Sequence, residues 1–144
     1  MIKFKNIKIN YILNFLQLLL FSSILVLEKL TEIYPLVMRH IYTKNIEFEK
    51  TFMSYFGMNI QKILIIFALF LVLIYWTRLR LKEKSITKNK NLNLFVVYLF
   101  ITIIIQNSDY FKNFLSFGYL LITIYIILFI QLINVYIEKR RRSL

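Results

Sequence analysis

Apolar residues gather in four long stretches: Ile9 to Leu27, Ile60 to Trp76, Leu92 to Gln106 and Phe114 to Ile133. As helices rising 1.5 Å per residue they span roughly 28, 26, 22 and 30 Å, against a bilayer hydrocarbon core of about 30 Å. From Ile63 to Ile74 twelve successive residues are apolar, worth on the order of −5 kcal/mol of insertion free energy at about −0.4 per residue. The third stretch is short and spans only by borrowing Asn91 and Asn107 or by local thinning of the bilayer. These runs lack the alternation of a β-barrel strand. The pattern predicts an all-α polytopic membrane protein with four transmembrane helices over residues 9–27, 60–76, 92–106 and 114–133, forming a single membrane domain over 1–144.

The polar intervals differ in character. Residues 28–59 form a loop too long for a bare connection and too charged to span. Within it Phe48, Phe52, Tyr55 and Phe56 recur at helical spacing on one face, which predicts an interfacial amphipathic helix after a break near Pro35. The bland reading is a loop helix packed on a partner. Residues 77–91 are a basic loop.

Composition supports the membrane class: of 144 residues, 59% are hydrophobic and 17% aromatic, and the formal charge is +12. Without cysteine there is no disulfide, thiolate metal site or cysteine nucleophile, and one histidine makes no imidazole cluster. Charge placement fixes the expected orientation. The amino-terminal tail, the 77–91 loop and the carboxyl tail hold 13 of the 19 basic residues with only Glu83 and Glu138 as acids. Four spans put these segments on one side, so that both termini face inside under the positive-inside rule. Three spans would separate them. The start, lacking a small-residue cleavage site, reads as a retained span rather than a signal or transit peptide.

Every carboxylate lies outside the four apolar cores, so no buried acid is expected to serve a proton or cation pathway. The polar groups inside are uncharged and fall on shared faces: Asn10, Asn14 and Gln17 on the first helix; Tyr98, Thr102 and Gln106 on the third; Ser116, Thr123, Gln131 and Asn134 on the fourth. Two readings are open: helix-packing polar faces, at about 0.6 kcal/mol a contact, or the lining of a solute path. Packing is preferred, because the stripes sit mainly at helix ends. With Gly57, Gly118 and Ala68 the only glycines and alanine, there is no GxxxG motif and no broken helix of the transporter type. Arg78, Arg80, Lys82, Lys84, Arg140, Arg141 and Arg142 are candidate contacts for anionic phospholipids, cardiolipin included. A nucleic-acid partner is not expected, since no folded domain or aromatic platform accompanies the charges. His40 would ligate haem only with a second imidazole from another chain. The preferred reading is an interfacial histidine, with no cofactor, metal or catalytic residue.

Phe, Tyr, Ile, Asn, Lys and Met make up more than half the chain, the codon signature of an AT-rich genome. In this style, and in stretches such as YLLITIYIILFIQLINVYIEKR, the whole chain resembles the small hydrophobic subunits that AT-rich mitochondrial genomes, ciliate ones in particular, encode for the membrane arms of respiratory complexes. The resemblance implies an accessory or strongly diverged subunit of an electron-transport or ATP synthase complex in the mitochondrial inner membrane, partnered by other membrane subunits. Proton-pumping subunits of that class carry Glu or Lys inside their spans, and this chain does not follow them, so no site residue is carried over. The alternative is a small oligomeric four-span transporter in the plasma membrane of an AT-rich bacterium. Exporters of that length differ in having a glutamate in the first helix and many Gly and Ala residues. No nucleophile and base pair up to suggest an enzyme.

Overall fold

A computed structural model describes the backbone of residues 2–83 and 90–143 and the side chains of 9–79, 81 and 90–140. The described residues are 92% helical and contain no strand. Six helices follow in order: α1 (Ile2–Ile33), α2 (Pro35–Lys50), α3 (Tyr55–Glu83), α4 (Lys90–Asn107), α5 (Asp109–Lys112) and α6 (Phe117–Ser143). Four contain windows long and apolar enough to cross a membrane: Ile9–Ile33, Tyr55–Leu79, Lys90–Asn107 and Phe117–Arg140. The chain is an integral membrane protein of four helical spans.

Local sequence explains the breaks. Proline restricts the residue before it to extended backbone, and Tyr34 sits at φ −114°, ψ 110° with Pro35 opening α2. Past Lys50, Thr51 turns its hydroxyl back to the Glu47 carbonyl at 3.0 Å, and the Thr51 and Met53 amides both return to the Phe48 carbonyl. Ser54 then caps α3, its Oγ accepting from the Gly57 amide at 3.1 Å.

A helix does follow the break at Pro35, as α2, but this turn corrects the aromatic face expected of it. Phe48, Phe52, Tyr55 and Phe56 do not share one face, because the chain stops and restarts between Lys50 and Tyr55. Phe48 and Phe52 pack inward, with ring centroids 5.0 Å apart and Phe48 edge-on to Tyr119 at 5.3 Å. Tyr55 and Phe56 stay 87% and 74% exposed on α3. Aromatic periodicity passed over the Thr51–Ser54 stop because spacing along the sequence does not register the Thr51 back-bond and the Ser54 cap.

The helices also outrun their apolar cores. The amino-terminal helix continues through Glu28, Lys29 and Glu32 to Ile33, α3 carries Arg78 and Arg80 as helical residues, and α6 opens at Phe117 rather than Phe114. The third span takes in Asn91 and Asn107, and its 18 residues make about 27 Å.

Packing centres on α6, which lies against α1 on one flank and α4 on another, while α3 packs on α4. Ile24 of α1, Ile105 of α4, and Phe117, Leu120, Leu121 and Ile124 of α6 form the main core; Ile65 of α3 with Phe95 and Leu99 of α4 forms a second. The pairing is uneven. Of the apolar windows, 39% is buried within the chain for α4 and α6 but only 11% for α1 and 6% for α3.

Candidate functional site

Inside a bilayer no water is at hand to satisfy a polar group, so each one must find a partner in the protein. The i, i+3 spacing of Asn14 and Gln17 on α1, and of Gln131 and Asn134 on α6, sets two amides on each facing surface. The Asn134 side-chain amide donates to Asn14 Oδ1 at 3.1 Å, and Gln17 Nε2 donates to Gln131 Oε1 at 3.0 Å and to the Ile127 carbonyl at 3.3 Å. Gln131 in turn donates to the Asn91 carbonyl at 2.8 Å. Gln131 and Asn134 are fully buried and Gln17 nearly so. One line of amides therefore joins α1, α6 and α4.

A second node joins α3. Gln106 donates to the Tyr125 hydroxyl at 2.7 Å, Tyr125 donates to Gln61 Oε1, and Gln61 Nε2 donates to the Phe52 carbonyl at 2.7 Å. Where the end of α3 meets the start of α4, Trp76 Nε1 donates to Asn93 Oδ1 at 2.7 Å.

Two carboxylates finish the helix ends. Neither α4 nor α6 carries an acid in its first turn, and each takes one from a neighbour. Glu28 of α1 accepts from the Leu115 and Ser116 amides at 3.3 and 3.0 Å and from the Ser116 hydroxyl. Glu138 of α6 accepts from the Asn91 amide at 3.2 Å. Each pairing puts a negative group on orphan N–H donors at the positive end of a helix dipole. Asn91 is thus gripped twice by α6, its N–H by Glu138 and its carbonyl by Gln131.

The expected polar faces are placed as follows. Asn14, Gln17, Gln106, Ser116, Gln131 and Asn134 bond to other elements. Thr102 and Thr123 return to the carbonyls four residues back, at 2.7 and 2.8 Å, and do not bridge helices. Asn10 leaves a buried Oδ1 without a hydrogen-bond partner. His40 and Arg78 are exposed, as is Arg140, and the side chains of Arg80, Lys82, Lys84, Arg141 and Arg142 lie outside those described. Among the described residues no group of three His, Asp or Glu gathers in a way that could hold a metal ion.

Glu28, Glu138, Tyr125, Gln61, Trp76 and Asn93 are the participants that sequence reasoning passed over. For the carboxylates a signal existed: a span opening without its own acid calls for one from the end of an antiparallel neighbour.

Beside the amide line, α1 and α4 rest on α6 rather than on each other. Between them is a cavity of about 420 Å³ lined by residues of these three helices.

No protein-family model, curated protein or solved structure matches the chain.

Proposed function

We propose that this chain is a non-catalytic accessory subunit in the membrane arm of a large mitochondrial respiratory-chain complex, of the electron-transport or ATP synthase type. One observation carries the reading: Asn14, Gln17, Gln131 and Asn134 within the spans bond between helices, while the outer faces of α1 and α3 are left mostly as Ile, Leu and Phe. A solute path needs polar groups turned to a lumen, and these are turned to neighbouring helices. A brace needs internal cross-links and broad apolar flanks for neighbouring subunits. The composition of an AT-rich genome supports the mitochondrial inner membrane as its place, and the basic segments support contact with anionic phospholipids on the inside face.

The test is gentle detergent extraction of the endogenous protein, followed by native electrophoresis and mass spectrometry. Migration in a band of several hundred kilodaltons with other membrane subunits is expected. A free monomer or small homo-oligomer would overturn the proposal and favour the bacterial transporter.

A further inference from the structure

We infer that the cleft between α1, α4 and α6 is a binding site for one anionic phospholipid, an acyl chain lying in the cleft and the headgroup on Lys90. This deepens the anionic-lipid contact proposed above into a defined site, and it holds for the isolated chain whether or not a complex surrounds it.

The walls decide the chemistry of the buried part. Leu94 and Ile101 of α4, Leu18 and Phe21 of α1, and Ile127 and Leu128 of α6 supply most of the lining. Several of the polar groups beside them are bonded within the protein. Thr102 donates to the Tyr98 carbonyl at 2.7 Å, Asn14 Oδ1 accepts from Asn134 at 3.1 Å, and Gln17 donates to α6 at 3.0 and 3.3 Å. The mostly apolar walls suit a hydrocarbon occupant.

Length and volume suit a fatty chain. The cleft runs from Leu94 to Thr102 along α4, about 12 Å at 1.5 Å per residue. Its volume of about 420 Å³ leaves room for an extended hydrocarbon segment of that length. Acyl chains, roughly 4–5 Å wide at ordinary carbon–carbon contact distances, fit such a slot.

Charge decides the headgroup. Lys90, Leu94, Tyr98 and Ile101 follow at i, i+4, i+8 and i+11, so exposed Lys90 sits on the cleft face of α4 one turn beyond its apolar wall. At that end of the bundle Arg78 is also exposed, and the Lys139 ammonium lies 5.6 Å over the Tyr75 ring. Two acidic residues belong to that end, Glu83 and Glu138, and Glu138 accepts from the Asn91 backbone amide at 3.2 Å, so the basic residues there outnumber the acids. A cationic rim over an apolar slot complements a phosphate ester with a fatty chain, at about 1 kcal/mol per basic residue near the surface.

The experiment is native mass spectrometry of the full chain released from nanodiscs of mixed phosphatidylcholine and phosphatidylglycerol. One retained phosphatidylglycerol per chain is expected. Leu94→Trp, filling the slot, abolishes the adduct; Lys90→Gln keeps an adduct but loses the preference for phosphatidylglycerol; Phe67→Trp on the exposed face of α3 changes neither. Absence of retained lipid in the wild type, an adduct undiminished by Leu94→Trp, or a homodimer that Leu94→Trp dissolves would overturn the site. Should Leu94→Trp lose helicity by circular dichroism, Tyr98→Trp in a Trp76→Phe background reads the same cleft. Its fluorescence is expected to be quenched more by acyl-brominated phosphatidylglycerol than by acyl-brominated phosphatidylcholine, and equal quenching overturns the proposal.

Discussion

Among the buried amides Gln131 is the hub, because it accepts from Gln17 and donates to Asn91 while fully buried. Gln131→Leu removes two bonds and leaves the Asn91 carbonyl without this partner in hydrocarbon. At about 0.6 kcal/mol per interhelix bond in a membrane, a loss of about 1 kcal/mol is expected, read by steric-trap unfolding in bicelles. Thr123→Val gives the contrast. Its hydroxyl bonds only the Tyr119 carbonyl of its own helix, so stability should stay within the error of the same measurement. If Thr123→Val cost as much as Gln131→Leu, the interhelix bonds would not be what distinguishes these positions.

At the scale of elements, a close side-chain contact joins α2 to the start of α6. A Cβ on Gly118 would lie 2.4 Å from Phe48 Cδ2 and 3.1 Å from the Met53 sulfur, and the Phe48 ring is held between Phe52 and Tyr119. Gly118→Ala should cost about 1–3 kcal/mol by overpacking. In a Phe48→Ala background the same change should cost far less, and a double-mutant cycle showing no coupling would refute the contact. This junction also marks how far the sequence could be read. Spacing alone made Asn14 with Gln17, and Gln131 with Asn134, legible as shared faces, since position on a helix is local. The Gln106–Tyr125–Gln61 chain was not legible, because it depends on how three helices rotate against one another. The Lys50–Tyr55 break was hidden because a Thr back-bond and a Ser cap are weaker signals than four aromatic residues in phase. Four spans were legible because length and hydropathy decide them without knowledge of packing.

For the whole molecule the bonds fix a direction for each helix. Asn14 meets Asn134, Gln17 meets Gln131 and Glu28 meets Ser116, so α1 and α6 run antiparallel. Asn91 with Glu138 and Gln106 with Tyr125 oppose α4 to α6 in the same way, and Trp76 with Asn93 brings the end of α3 to the start of α4. It follows that Lys29, Lys44 and Lys112 belong to one end of the bundle and Lys90 and Lys139 to the other. A membrane-impermeant amine reagent on sealed vesicles should label these as two exclusive groups, located by peptide mass spectrometry, with the second group on the inside if the positive-inside distribution governs insertion. Labelling at Lys44 needs the more alkaline buffer. Its ammonium is bonded to Glu47 at 2.7 Å, and that bond, with the charge of the same carboxylate, holds Lys44 above its ordinary pKa, so the reactive amine forms later as pH rises. Modification of Lys29 and Lys90 from the same side of intact vesicles would contradict the antiparallel order and, with it, the cross-links on which the proposed bracing role depends.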